Sequence, residues 1–196
     1  MEIPEVVVVL CPGNPSIINN TVILDENDNS GYLGSQIRLD AAVNLSPLVK
    51  QMILVGGSMN KVFAMKKYLE ERKCITQFIL IISENNTMGN LHALKQLLNG
   101  KYNLCLAKQK IGILTNLYHK KRLIRIAADI FDTQIIMLVA EDFVSISNYN
   151  IDTNSYNLRL LNEDKGVSMW EEGTYTKQKF ATENYKCELV QTQNIK

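Results

Sequence analysis

Five short apolar runs, each followed by a polar turn, constrain the fold of this chain more than any other feature. Runs that are apolar throughout are typical of parallel strands buried on both faces. The runs are Val6–Leu10, Met52–Val55, Phe78–Ile82, Ile111–Leu114 and Ile135–Val139. Strands that alternate with helices predict an α/β fold, here a Rossmann-like, three-layer αβα domain with a five-stranded, mostly parallel sheet. We expect strand order 3-2-1-4-5, with 2-1-3-4-5 as the alternative.

Four segments between these runs have the apolar spacing of helices. The first covers residues 36–48, with Ser35 as its expected N-cap, and the third stops at Asn99 and Gly100. Residues 16–35 are polar, with an extended piece at residues 21–24. A loop of that length is either a functional lid or an irregular surface excursion, and the sequence leaves both open.

Composition describes an ordinary globular protein of 196 residues, 46% hydrophobic and 21% charged. We divide it into a Rossmann-like domain over residues 1–140 and a C-terminal extension over residues 141–196 that packs on the same domain and adds a strand or a helix. A net charge of +1 without a basic stripe argues against nucleic acid as a partner. We find neither a signal peptide nor a membrane span, and therefore expect a cytoplasmic protein.

Metal and cofactor signatures are missing from the sequence. Four widely spaced cysteines and two histidines, His92 and His119, supply neither a zinc cage nor a disulfide framework, so we expect no metal site. There is no G-x-x-x-x-G-K-[ST] loop, G-x-G-x-x-G fingerprint or G-x-S-x-G elbow, and the cofactor stays unknown. S-adenosylmethionine suits the fold, but no acidic residue ends the second strand to hold its ribose.

The turn after the fourth strand is the strongest indication of a functional site. Asn116 is the expected N-cap of the next helix, His119 lies in its first turn, and Arg122 is three residues further along the same face. Helix amides and positive charge together predict an anion site. His119 is the candidate catalytic acid or base, because a helix N-terminus favours the neutral imidazole. The competing interpretation is a solvent-facing histidine.

In the favoured strand order, polar turns after four strands converge beyond the carboxyl ends, where ligands bind in such sheets. Arg38 and Arg122 could clamp a phosphate or carboxylate, and Thr87 and Asn90 could donate hydrogen bonds to it. Cys11 is either a nucleophile or a buried inert thiol, and we favour the second. The other predicted ligand-binding residues are Gly13, Asn14, Gly56, Gly57, Asn86, Thr115, Asn116 and Tyr118.

These motifs, in this order, resemble the YdcF/SanA/ElyC-like family of bacterial proteins, over about residues 6–139. The T-S-x-[FY]-H-x-x-R motif of the family is matched by Thr115, Asn116, Tyr118, His119 and Arg122. Its N-T-x-E-N motif is matched by Asn86, Thr87 and Asn90, with Gly89 in the place of the glutamate. Its S-G-G turn is matched by Gly56 and Gly57, and its R-x-x-x-A helix by Arg38 and Ala42. The resemblance implies a Rossmann-like fold and an enzymatic site, without an established family reaction.

Two functions are consistent with these residues. The first is an enzyme that binds a small phosphorylated or nucleotide-like ligand and acts on it by transfer or hydrolysis, with His119 moving the proton. The alternative is a non-catalytic binding or regulatory module that retains the anion pocket. Gly89 motivates this alternative, although Glu84 lies close enough in sequence to replace the missing glutamate.

Overall fold

The computed structural model describes residues 3–24, 34–100, 102, 109–132, 135–173 and 185–190. Within them the chain forms eight strands and five α-helices. In chain order they are β1 Val6–Leu10, β2 Ser16–Ile18, β3 Thr21–Ile23, α1 Gly34–Leu45, β4 Gln51–Gly56, α2 Met59–Glu71, β5 Gln77–Ser83, α3 Thr87–Leu98, β6 Ile111–Thr115, α4 Leu117–Ile130, β7 Ile136–Val139, α5 Thr153–Glu171 and β8 Cys187–Val190.

The main sheet has the order β7-β6-β1-β4-β5-β8. Its first five strands are parallel, with β1 in the centre, where Val8 is paired with both Ile53 and Ile113. The expected order 3-2-1-4-5 is therefore confirmed, and the alternative order is wrong. The sheet also has a sixth strand, because β8 pairs antiparallel with β5 at the edge.

The sheet separates two hydrophobic cores, as a three-layer αβα fold requires. Along β1, Val7 and Val9 pack on the face covered by α1 and α2, while Val6, Val8 and Leu10 pack on the face covered by α3 and α4. All five side chains are buried. Because both faces of this strand are covered, its sequence is continuously apolar instead of alternating.

The segment after β1 forms a short antiparallel hairpin of β2 and β3. Its turn residues Asn19 and Asn20 have φ of 48° and 62°, a region that asparagine tolerates better than most residues. Residues 25–33 of the loop at residues 16–35 lie outside the described residues, so a lid stays a prediction. Ser35 is not the N-cap that we expected, because α1 already includes Gly34; its hydroxyl donates to the carbonyl oxygen of Pro12 instead, at 3.2 Å.

Residues after 140 contact the sheet and helices that precede them. Helix α5 packs on α4, where Trp170 Nε1 donates to Asp129 Oδ2 at 2.6 Å, and β8 extends the sheet. The boundary that we placed at residue 140 stays a prediction. None of the helices in the described part of the chain combines the length and apolar character needed to cross a bilayer.

Candidate functional site

A cavity of about 270 Å³ lies beyond the carboxyl ends of β1, β4 and β5. The turn after β1 and the helices α1 to α5 all contribute to its wall. Ten of the thirteen predicted site residues line it: Gly13, Asn14, Arg38, Gly57, Asn86, Thr87, Asn90, Tyr118, His119 and Arg122. Gly56, Thr115 and Asn116 do not line it; Gly56 packs against the Cβ of Cys11 instead.

His119 is held between two threonine hydroxyls. Its Nε2 lies 3.2 Å from Oγ1 of Thr87, which lines the cavity, and its Nδ1 lies 3.1 Å from Oγ1 of Thr115, which is fully buried. Burial, and then the charges of Arg122, Arg38 and Arg159, hold the pKa of His119 well below its usual value. A neutral imidazole has one donor and one acceptor nitrogen, so one hydroxyl donates to the ring and the other accepts from it.

The predicted capping role of Asn116 at the N-terminus of α4 is wrong in part. Asn116 is the N-cap residue by position, but its side chain does not bond to a helix amide. Its Oδ1 accepts from Arg38 Nε at 2.9 Å, and its Nδ2 donates to Glu141 Oε1 at 3.2 Å. Glu141 Oε2 accepts from the amide of Leu117 at 2.8 Å. The carboxylate of Glu141 therefore caps this helix.

Arg38 is buried and links three parts of the site. Besides Asn116, it contacts the end of β1, where Nη1 donates to the carbonyl oxygen of Leu10 at 2.8 Å. These two hydrogen bonds fix the guanidinium against the sheet while another part of the side chain lines the cavity. Arg38 is thus a fixed positive charge at the floor of the site.

Arg122 pairs with Glu163, a residue of α5 that the sequence analysis missed. Arg122 Nε and Glu163 Oε2 are 2.8 Å apart, but the N–H does not point at the oxygen, so the contact is an ion pair without hydrogen-bond geometry. Gly166 makes room for it: a Cβ there would lie 2.8 Å from Cδ of Arg122. Burial raises the pKa of the Glu163 carboxyl, while the charges of Arg122, Arg159 and Arg38 oppose the rise.

The start of α3 supplies one polar wall of the cavity. Asn86 is the N-cap, and its Oδ1 accepts from the amide of Gly89 at 2.8 Å. Asn90 accepts from the hydroxyl of Ser83, so its position is fixed by the end of β5. Because Asn86 acts as a cap, it serves the helix as well as lining the cavity.

Glu84 packs beside Gly89 at the start of α3. A Cβ built on Gly89 would lie 2.2 Å from Cβ of Glu84, so Glu84 fills the space beside this glycine. Glu84 does not belong to the described residues that line the cavity. The carboxylate that does line it, Glu163, comes from the C-terminal helix.

Three further polar lining residues were not among the predicted site residues: Lys61, Asn85 and Arg159. Lys61 Nζ donates to Asn85 Oδ1 at 2.7 Å, and the guanidinium of Arg159 lies 5.6 Å from the ring centroid of Tyr118. Lys61 lies in the first turn of the helix after the Gly56-Gly57 turn, which was an available signal. Arg159 belongs, like Glu163, to α5, in the part of the chain that the sequence pattern left unassigned.

Cys11 lines the cavity as a neutral thiol. Burial raises its pKa to about 12, despite the lowering effect of the charges of Lys61 and Arg38. Since the thiolate is the nucleophilic form, this cysteine is poorly suited to attack a substrate. Among the described residues no group of three or more His, Cys, Asp or Glu could hold a metal ion.

The cavity carries an excess of positive charge. Four cationic side chains line it (Arg38, Lys61, Arg122 and Arg159), and Glu163 is the one acidic residue among the described lining residues. With all five groups charged, the lining has a net charge of +3. Such a surface favours an anion.

Comparison of the chain with protein-family models, with curated proteins and with solved structures found no match.

Proposed function

We propose that this chain is a YdcF-like protein that binds a small phosphorylated or nucleotide-like anion in the cavity and acts on it by transfer or hydrolysis in the cytoplasm. The observation that carries the proposal is the cluster of Arg38, Lys61, Arg122 and Arg159 around one carboxylate. Guanidinium groups match phosphate and carboxylate geometry and remain charged at any physiological pH.

His119 and Thr87 support the catalytic half of the proposal. A neutral imidazole can accept a proton, and its Nε2 contacts the hydroxyl that lines the cavity. Thr115 on the opposite nitrogen holds the ring in place, as an orienting partner does for a general base. A ligand at the start of α3 would lie within reach of the Thr87 hydroxyl.

The alternative, a non-catalytic binding or regulatory module, is favoured by one observation. Gly89 stands where the family motif has a glutamate, and Glu84 packs over it without lining the cavity. A pocket that lost this carboxylate would still hold an anion through its arginines.

A thermal-shift screen across nucleotides, sugar phosphates and cofactors tests the binding half. A ligand that prefers the folded state raises the melting temperature by mass action, so a hit at a hundred times its Kd adds about 2.7 kcal/mol. Lys61→Ala should weaken a hit several-fold, because it removes one lining charge that is only partly buried. Lys67→Ala on the same helix, whose ammonium pairs with Glu71, should not.

His119→Ala then separates the two functions. If the chain is an enzyme, turnover of the hit falls by about 10²- to 10⁴-fold while binding survives, since the variant loses the proton-transfer group. The binding module predicts no turnover from the unsubstituted protein. A screen without any anionic hit would contradict both.

A further inference from the structure

Glu163 is a buried carboxylate in a cavity whose other charges are positive. Its residue is 7% exposed, and its Oε2 has no hydrogen-bond donor among the described residues although Arg122 Nε is 2.8 Å away. The charged groups that face it are Arg122 of α4, Arg159 and Asp164 of α5, and Arg38 of α1. Glu163 is therefore the internal counter-ion of these arginines.

An anionic ligand would compete with Glu163 for the same guanidinium groups. The entering ligand places a second negative charge beside a carboxylate that is already removed from water. Two neighbouring negative charges in a buried site repel each other, so keeping both ionised costs a large amount of free energy. The carboxylate is buried, and the packing of α5 on α4 keeps it beside the guanidinium of Arg122. Uptake of one proton removes the repulsion.

We propose that Glu163 is the proton-binding residue of the anion site: it takes up one proton as the anion enters and remains a neutral carboxylic acid beside the bound ligand. This inference rests on the proposed function, because it requires an anion to bind. It assigns to α5 the acid group that the Gly89 position does not provide. A carboxylic acid next to a bound anion can also donate a hydrogen bond to it.

The other titratable groups at the cavity do not take this role. Burial and the neighbouring arginines keep the pKa of His119 well below its usual value, which favours the neutral ring. Burial raises the pKa of Cys11 to about 12, so the thiol is neutral with or without a ligand. Burial already raises the pKa of Glu163 in the free protein, and a bound anion would raise the same pKa further.

Sulfate titration of the full chain, followed in ¹H–¹⁵N spectra at constant ionic strength, tests the proposal. Sulfate keeps both negative charges throughout the range in which carboxyl and imidazole groups titrate, so any proton that accompanies it comes to the protein. Between the pKa of Glu163 in the free protein and its higher pKa in the complex, we expect the Kd to fall up to tenfold for each unit of decreasing pH. The Kd should level off outside that window.

Two variants identify the group. Glu163→Gln keeps the shape of the side chain without its charge, and should bind sulfate with a Kd independent of pH. Asp164→Asn is the matched control: Asp164 is exposed and pairs with Lys121, and without it the Kd should still vary with pH, over a range moved to lower pH because the charge of Asp164 raises the pKa of Glu163. If Glu163→Gln does not fold, the slope of the unsubstituted protein and the ¹³C chemical shift of the Glu163 carboxyl, measured with and without sulfate, decide the question.

The outcomes separate this inference from the proposed function. A sulfate Kd that does not vary with pH in the unsubstituted protein overturns the role of Glu163 and leaves the anion site standing. A slope that persists in Glu163→Gln assigns the proton to another group, and also overturns it. Absence of any sulfate binding contradicts the anion site itself, and both proposals fall together.

Discussion

Glu141 Oε2 accepts a hydrogen bond of 2.8 Å from the amide of Leu117, the first residue of α4. An internal carboxylate thus takes the first helix amide, in the region where the sequence predicts a site for an external anion. Positive charge for a ligand comes mainly from four side chains, those of Arg38, Lys61, Arg122 and Arg159. The anion site proposed here is therefore a side-chain site and not a helix-terminus site.

Glu141→Ala should lower the free energy of unfolding by about 1–2 kcal/mol, because α4 loses its capping acceptor and a favourable charge at its N-terminus. Asn116 would also lose the acceptor of its Nδ2. Urea denaturation measures the loss. Asp142→Ala, an exposed neighbour, should change stability by less than about 0.5 kcal/mol. Equal losses in the two variants would contradict the capping role.

The five parallel strands could be predicted because each is a continuous apolar run followed by a polar turn, and their order follows from known α/β topologies. The cap of α4 could not be predicted, because Asn116 is the residue next to the helix that the local sequence favours as N-cap. Glu141 lies beyond β7 in the chain and reaches the helix only through the tertiary fold. Strand β8 is only four residues long and lies at a partly exposed sheet edge, so its sequence shows no clear alternation of apolar and polar residues.

The sequence predicts a strand or a helix after residue 140 without placing α5, which carries two of the five charged lining residues. Its buried residues, among them Val167 and Trp170, are balanced by exposed Leu158 and Leu161, so no single apolar stripe marks a face. Glu163 and Arg159 are four residues apart on that helix, a spacing common on solvated surfaces. Only the packing of α5 on α4 brings them to the cavity.

Gly89, which has no side chain, leaves the space that Glu84 occupies. We expect Gly89→Ala to destabilise the protein by about 1–3 kcal/mol, since its new Cβ would lie 2.2 Å from Cβ and 3.1 Å from Cα of Glu84. Glu84→Gly removes the obstructing Cβ and should recover much of that loss in the double variant. Chemical denaturation of the two single variants and the double variant gives the coupling energy, and additive losses would contradict the contact.

His119 should give the folded protein a specific acid sensitivity. Its pKa is well below the usual value of 6.5 in the folded state, so below about pH 6.5 the unfolded chain binds a proton that the folded chain does not. Stability should therefore fall with decreasing pH, by up to about 1.4 kcal/mol per unit for this group. Glu163 has the opposite effect on stability: because its folded-state pKa is raised, its stabilising contribution is lost as pH rises through that pKa.

The ring resonances of His119 are the direct measurement. We expect them to keep neutral-imidazole shifts well below pH 6.5, with the tautomer set by Thr115 and Thr87. The pKa of His92 is also lowered, mainly by burial, so a His119→Gln variant is needed to assign the two rings and to show which part of the pH slope disappears. A His119 ring that titrates near its ordinary value would contradict the buried, neutral state.

Asp40 joins the residues after position 140 to α1 and α2. Tyr68 and Tyr149 donate to its two carboxylate oxygens, each at 2.8 Å, and for both phenols burial, and then the hydrogen bond to Asp40, raise the pKa. Asp40→Ala should cost about 1–3 kcal/mol of stability, because two partly buried hydroxyls lose a charged acceptor. Asp40→Asn retains an acceptor and a donor and should cost less.

Spectrophotometric titration of the tyrosines separates this network from general destabilisation. Because the folded-state pKa values of Tyr68 and Tyr149 are raised, their contribution to stability is present below about pH 10 and is lost as pH rises through the folded values. In the unsubstituted protein these two of the eight tyrosines should ionise late. In Asp40→Ala both should ionise at lower pH, because the carboxylate that disfavours the phenolate is gone. Unchanged titration curves would show that the carboxylate does not hold the two hydroxyls in solution.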